Sequence, residues 1–530
     1  MLSKRLAALS YGCSHPDVNW QWAFGVRQNM KSLSSVAAAC AALLVSLAPM
    51  PSEAAGTFRL ADDSGYGGAE SLDPISPTRF YNVIQLVYSR LVRQGEDGQP
   101  SPDLALSWSS SPDAKEWTFR LRRGVKFHDG SDFTAHDVAY SLMRIKSEKI
   151  KSPVAAVLSI VEGVDPLDDY TAKVRLSTPH ADFPLLLMDY RARILSSRAG
   201  AENVDALNET GVGTGPFKVS KLDARGTTIL EAFPGYWEGK PDVDRVEVIS
   251  IPDQQARVQA VLAGQVDYVA AVTQQQQLLF SDKSAYAVQS VQTGDWSGIV
   301  MRTDTAPFTD ARVRRALRIL VDREAMMKLL VGENGGVVSC DDPVWSGDPY
   351  RADLTCPQDL PEAKRLLSDA GFPKGLDVVL YTSDLRELWT KMAEVYQQQA
   401  AAAGVHVDIR LVPGDSYWSA TWMKKDFVAT DWSQRPADQV LNEVYHSGAA
   451  WDESSFNDPH FDETLSAARR ALEPSQRRAL YGEAQKILYA EGGTLIPFHK
   501  STVRVLSARV KGIPNVQEFS IRWNKLSVGE

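Results

Sequence analysis

Residues Gly213–Asp253 read GTGPFKVSKLDARGTTILEAFPGYWEGKPDVDRVEVISIPD. The segment opens on Gly-Thr-Gly-Pro, contains the apolar-rich runs TTILEAF and RVEVISI, and carries Pro-Gly-Tyr-Trp between them. Alternation with period two predicts strands on either side of Tyr236-Trp237. Gly213 and Gly215 predict tight backbone geometry, and Pro216 with Phe217 the start of a strand. The segment holds no Cys or His and no nucleophile beside a base. The residues alone leave three readings of it: a site of chemistry, a binding surface, or only a fold.

Downstream, PDQQARVQAVLAGQVDYVAAV predicts a helix through Val258, Val261 and Leu262, stopped at Gly264, then a short strand. Upstream, Val83, Ile84, Val87, Leu91 and Val92 have helical spacing and predict a helix over Tyr81–Arg93. EWTFRLRRGVKF reads as a strand pair before the turn HDG, and Thr134 with Asp137 forms an N-cap and N3 pair ahead of Val138, Leu142 and Ile145. FTDARVRRALRILVDREAMMKLL predicts an amphipathic helix broken once, and Asp359, Pro361 and Glu362 open another. LDVVLYTS and VHVDIRLV flank a helix from Trp389 to Ala403, a βαβ pattern that predicts a parallel or mixed sheet. No tandem repeat or Pro/Gly/Ser linker divides the chain, so interleaved domains are expected.

The chain has 530 residues, 44% hydrophobic and 23% charged, with slightly negative mean hydropathy. That length predicts several domains with ample core. The formal charge is −9, from 57 basic and 66 acidic residues, and no basic run occurs. Nucleic acid and anionic membrane surfaces are thereby disfavoured as main partners. Met30-Lys31 precedes the 13-residue stretch VAAACAALLVSLA and then Ser52-Glu53-Ala54. This order of charge, short apolar run and small residues predicts a secretory signal, with residues 1–29 a leader or an over-extended reading frame. Thirteen residues fall short of the ~20 needed to span a bilayer. Cys40 follows three alanines inside the apolar run, so lipid anchoring is not expected. Without residues 1–54, Cys340 and Cys356 are left, 16 apart around DDPVWSGDPYRADLT. In an exported chain they are expected to form a disulfide, the alternative being two buried thiols.

Catalytic and metal motifs are missing: there is no G-x-x-x-x-G-K-[ST], H-E-x-x-H, CxxC pair or G-x-S-x-G. An enzyme is not expected, nor a metal or cofactor site, and His128 and His136 are expected to bracket a turn.

The segments SLDPISP, WTFRLRRGVKFHDGSDFTAHDVAYSL, GTGPFKV…LEAFPGYWEGKPDVDRVEVISIPD…RVQAVLAGQVDYV, APFTDARVRRAL and EAKRLLSDAGF occur in that order. Together they resemble the family 5 extracellular solute-binding proteins of ABC importers, the oligopeptide-, dipeptide- and nickel-binding group. The resemblance spans about residues 57–525 and implies an α/β, two-lobed class II periplasmic-binding-protein fold. Lobe one would combine 56–98, 205–298 and 499–530, with a subdomain of 99–204 inserted, and lobe two would be 299–498. The implied role is capture of a peptide or peptide-like solute by lobe closure, as a periplasmic monomer, and delivery to the importer's membrane permease subunits. Alternatives are an opine, a sugar–amino acid conjugate or a nickel chelate in the same role, or, in another class, a secreted hydrolase.

Peptide-binding relatives carry a Trp followed within a few residues by an acid that pairs with the peptide ammonium. Trp432 and Ser433 match the start of that pattern, but Gln434-Arg435-Pro436 stand at the acidic position. Arg435 in the cleft would favour an anionic ligand group; alternatively Asp438 moves in to hold an amine. Trp418 is expected to stack on ligand, Trp296 to sit at the interlobe crossing, Arg79 and Tyr81 on the lip of lobe one, and His499 at the second hinge. Tyr236 and Trp237 are expected to pack between strands.

Overall fold

The computed structural model describes residues 56–62, 71–76, 80–147, 149–150, 152, 154–155, 157–202, 211–414 and 416–529. The leader, the signal stretch with Cys13 and Cys40, and Arg79 lie outside the described residues.

The Gly213–Asp253 segment forms three consecutive antiparallel strands, Phe217–Lys221, Thr227–Ala232 and Arg245–Ser250. A Cβ on Gly213 would lie 2.0 Å from the Val87 carbonyl oxygen, and one on Gly215 2.5 Å from that of Leu86. Only glycine lets this backbone run against the end of the helix Tyr81–Val87. The same contact corrects the expected helix over Tyr81–Arg93. The Gly215 N–H donates to the Val87 carbonyl at 2.8 Å, Tyr88 turns extended, and Val92–Gln94 becomes a strand paired with Pro100–Pro102. A tertiary partner thus ends a helix that periodicity alone would continue.

Among the described residues the larger sheet has 12 strands. The strand Thr57–Asp62 pairs in parallel with Arg245–Ser250 at one end. At the other, Leu376–Thr382 pairs in parallel with Val405–Leu411 across the helix Glu387–Ala401, the expected βαβ unit. Two long strands run through both ends. Tyr286–Met301 pairs along its first half with Phe498–Ser507 and along its second half with Phe427–Trp432. Its register slips between Gln292 and Trp296.

Separate cores lie on either side of that slip, one around Phe58, Leu230 and Val248, the other around Ile299, Leu317, Leu380 and Phe427. This is a two-lobed α/β architecture. A four-stranded antiparallel sheet, in the order Ala105–Ser110, Glu116–Leu121, Thr171–Leu176, Val161–Asp168, buries a third core with the helix Ala135–Ile145. That helix starts on the expected capping box of Thr134 and Asp137. The amphipathic segment after Thr309 is broken once, into Ala311–Ile319 and Arg323–Val331. Cys340 and Cys356 form a disulfide.

Candidate functional site

Thr293 and Asp295 sit where the long strand loses register, and both line a cavity of about 470 Å³. That volume falls within the roughly 300–1,000 Å³ typical of small-molecule sites. A slip in strand pairing frees backbone and side chains that a regular ladder would hold, which is how a sheet can present polar groups to a ligand.

One wall is aromatic. Tyr190 stacks on Phe519 with centroids 5.2 Å apart, and Tyr81 meets both edge-on at 5.2 and 5.9 Å. Opposed quadrupoles favour these offset and edge contacts, so the three rings brace each other as a stiff apolar surface. A second wall is the turn Ser433–Pro436, which follows the strand Phe427–Trp432. A third is Trp345 with Asp348, from the loop closed by the disulfide. Burial raises the Asp348 carboxyl to about 6, although it accepts the N–H groups of Tyr350 and Ala437.

The charges divide into engaged and open groups. Arg191 is bidentate to Asp189 through Nε and Nη2. Arg435 binds Glu443 through Nε at 2.9 Å and the Ser433 carbonyl through Nη1 at 2.8 Å, and stacks on Trp432 at 5.0 Å. Among the described residues, neither Arg435 Nη2 nor Arg191 Nη1 has a hydrogen-bond partner. Asp295 accepts the Gln434 N–H on Oδ1 at 2.7 Å, and its Oδ2 has no hydrogen-bond partner among them. Residues lining the cavity therefore carry both a carboxylate oxygen and guanidinium nitrogens without a hydrogen-bond partner among the described residues.

Of the residues expected at the ligand, Tyr81, Ser433 and Arg435 line the cavity. Five others lie elsewhere, each for a physical reason. Trp296 and Trp432 face each other across the strand pair, centroids 6.4 Å apart, inside a core. Trp418 packs edge-on against Trp389, Tyr417 and Trp422 away from the cavity, with 44% of its surface exposed. His499 is buried, and neither ring nitrogen has a hydrogen-bond partner among the described residues. Burial and the nearby Arg351 lower its pKa to about 3, so the ring stays neutral.

Asp438 is taken up completely. It receives both arms of Arg469 at 2.8 and 2.9 Å, His180 at 3.0 Å and the Tyr481 hydroxyl at 2.8 Å. Burial alone would raise its pKa, but Arg469 and His180 more than offset this and hold it well below the usual carboxylate range. Asp182 joins alongside, accepting from Tyr350 and paired with Arg477 at 3.0 Å. This network ties the loop at 180–182, which borders the third core, to the helices Ala437–Val444, Pro459–Arg470 and Pro474–Glu491. Asp438 is a structural clasp.

Sequence reasoning missed Asp295, Arg191, Trp345 and Phe519. The signal for Asp295 was its place beside Trp296 in TGDWSG. Glu453 was missed too. This buried carboxylate accepts Trp422 Nε1, Thr430 Oγ1 and Trp432 Nε1 at 2.5, 2.7 and 2.9 Å. It anchors the tryptophan on which Arg435 stacks. His128 is structural, its ring bonded to the Gly215 carbonyl. Tyr236 and Trp237 do not line the cavity; Trp237 lies under the Arg122 guanidinium at 4.3 Å. Among the described residues no cluster of three His, Cys, Asp or Glu could hold a metal ion, and no helix is long and apolar enough to cross a membrane.

Comparison with known proteins matches residues 99–452 to the bacterial extracellular solute-binding proteins, family 5 middle. The glutathione-binding protein GsiB of Pectobacterium atrosepticum is 25% identical over 458 residues, covering 83% of this chain and 88% of the relative. Di/tripeptide-binding protein 2 of Pseudomonas aeruginosa is 28% identical over 444 residues, covering 74% and 79%. The structure of the binding protein AgaA of A. tumefaciens R10 with agropinic acid superposes with a TM-score of 0.71 at 25% identity, covering 90% of this chain and 99% of that one. The unliganded open form of the murein tripeptide-binding protein MppA shares the fold, with a TM-score of 0.77 at 22% identity and coverage of 89% and 97%. The chain belongs to the family 5 solute-binding proteins, the substrate-binding components of ABC importers.

Proposed function

We propose that this family 5 solute-binding protein captures a small solute bearing both an amine and an anionic group, a short peptide or peptide-like amino-acid conjugate, and hands it to an importer's permease subunits. The observation that carries this reading is that Asp295, Arg435 and Arg191 line one cavity of about 470 Å³, and that Asp295 Oδ2, Arg435 Nη2 and Arg191 Nη1 have no hydrogen-bond partner among the described residues. A carboxylate suits an ammonium, and a planar guanidinium suits a carboxylate. The stiff aromatic wall supplies apolar contact between them. In this reading Ser433 and Tyr81 contact ligand, Arg79 stays a lip candidate, and Trp432 acts through Arg435.

Capture works by population shift. A solute that touches both lobes binds the closed form better than the open one and displaces the equilibrium by that difference. We place the lobes at 56–98 with 205–298 and 499–530, and at 299–498, with 99–204 inserted, and the protein in the periplasm as a monomer. The likeness to relatives that bind glutathione and di- or tripeptides supports the peptide class. A second reading, an opine, is favoured by the two cavity-lining arginines that each keep one nitrogen without a hydrogen bond among the described residues, and by the likeness to the agropinic acid complex.

Thermal-shift measurement with di- to pentapeptides and with agropinic acid separates them. Stabilisation by peptides with a free terminal amine supports the first reading. A shift with agropinic acid and with no peptide selects the second, and no shift with either class overturns both.

A further inference from the structure

We infer that Trp345 is the end-stop of the solute cavity, a specificity-determining residue that limits ligand length and is seated in a slot kept open by glycines at 98 and 294. The inference rests on the reading of this cavity as the solute site. Trp345 and Gly98 both line it. They come from separate parts of the chain, Trp345 from the disulfide loop and Gly98 from the tip between the paired strands Val92–Gln94 and Pro100–Pro102.

The seat is built for an indole. A Cβ on Gly98 would come within 3.3 Å of Trp345 Cζ2, and Gly98 also has a φ of +78° that disfavours any side chain. A Cβ on Gly294 would lie 2.5 Å from the Trp345 Cβ. A third glycine, Gly347, passes the ring on its own loop, where a Cβ would be 2.2 Å from Cη2. A methyl group at 294 or 347 would overlap Trp345 and one at 98 would crowd it, so the side chain occupies a slot that glycine at these three positions leaves room for.

The loop that carries the indole is held firmly. Beyond the disulfide, Arg351 donates to the Ser339 and Val344 carbonyls and pairs with Asp342 at 3.2 Å. The Asp348 N–H closes a turn onto the Trp345 carbonyl at 3.0 Å, and the Asp348 carboxylate accepts the Ala437 N–H next to the Ser433–Pro436 wall. A flat ring on a braced loop makes a wall that does not yield to a longer solute. The position lies among groups of the opposite wall too: Gln434 Oε1 accepts the Gly294 N–H at 2.7 Å and the Gln517 amide at 2.8 Å, which holds the far side of the slot in place.

The test is calorimetric titration of the full chain and its Trp345→Ala and Trp345→Phe variants with di-, tri-, tetra- and penta-alanine. The wild type should lose about tenfold in affinity between its preferred length and the next longer peptide. Trp345→Ala should bind that longer peptide within about threefold of the preferred one, with Trp345→Phe between. Amide hydrogen exchange without peptide is the second readout, and Gly98 and Gly294 should exchange faster in Trp345→Ala. An unchanged length profile overturns the end-stop, and so does loss of binding at every length, which would make Trp345 structural. If no alanine peptide binds even the wild type, the thermal-shift screen decides the peptide reading and the exchange decides the seat: unchanged protection at Gly98 and Gly294 overturns it.

Discussion

Asp295 and Gln434 meet at the slip in the long strand, where Asp295 Oδ1 accepts the Gln434 N–H at 2.7 Å. This bond aims the carboxylate and leaves Oδ2 open. Asp295 belongs to the strand that pairs with Phe427–Trp432, directly before this turn. The Asp295→Asn variant keeps an acceptor for Gln434 but removes the charge. Affinity for amine-bearing solutes should fall about 10–100-fold, the worth of a charge-assisted hydrogen bond. Titration calorimetry checks this, and an unchanged Kd would remove Asp295 from the amine's recognition.

Glu453 should make stability depend on pH. Burial raises its carboxyl to about 7, despite bonds from Trp422, Thr430 and Trp432 and with Asp452 adding to the rise. The folded value lies above the ordinary one near 4.3, so the native chain keeps a proton that the unfolded chain has released. This contribution is complete below about pH 4 and is lost as pH rises through 7. Glu453→Gln should therefore lose roughly 2–3 kcal/mol less than the wild type between pH 5 and 8. Urea denaturation at both pH values measures the difference, and parallel pH profiles would contradict it.

The Asp438 clasp works in the opposite direction. Its folded pKa is depressed, so its stabilisation is present above the ordinary carboxyl value and is lost as pH falls. Asp438→Asn leaves Arg469 without its buried partner and should cost about 3–5 kcal/mol at pH 7. Urea midpoints give the value; a loss under about 1 kcal/mol would show the network to be solvated.

Gly213→Ala tests the close approach of the Gly213–Asp253 segment to the end of the helix Tyr81–Val87. The added methyl would lie 2.0 Å from the Val87 carbonyl oxygen, which is backbone and cannot swing away. Destabilisation of at least about 2 kcal/mol is expected, with solute affinity of the folded fraction unchanged. A variant as stable as the wild type would mean that the helix end shifts freely.

Local patterns made most elements legible. The capping box at Thr134, the break after Ile319, the βαβ unit around Glu387–Ala401 and the Cys340–Cys356 bridge all rest on neighbours in sequence or on cysteine count. The helix beyond Val87 was not legible, because Gly215, more than 120 residues away, takes the carbonyl that would have continued it. The site was legible in part. The turn at Ser433–Arg435 was found through its departure from a family pattern, while Asp438, three residues on, points into a buried ion network. Arg435 precedes the helix Ala437–Val444 and Asp438 lies in its first turn, so the two side chains leave backbone of different conformation, and which of them meets the cavity depends on what packs on each side.

What the sequence by itself determined is the family, the two-lobed fold, the strand-forming segment Gly213–Asp253 and the absence of recognisable catalytic motifs. These follow from periodicity, glycine and proline placement, and ordered motifs, all of them local. What only the tertiary structure decided is which charges remain open. Asp295, Arg191 and Arg435 come from three separated segments. Whether each side chain is engaged by a partner or left for a solute depends on contacts that the linear order does not contain.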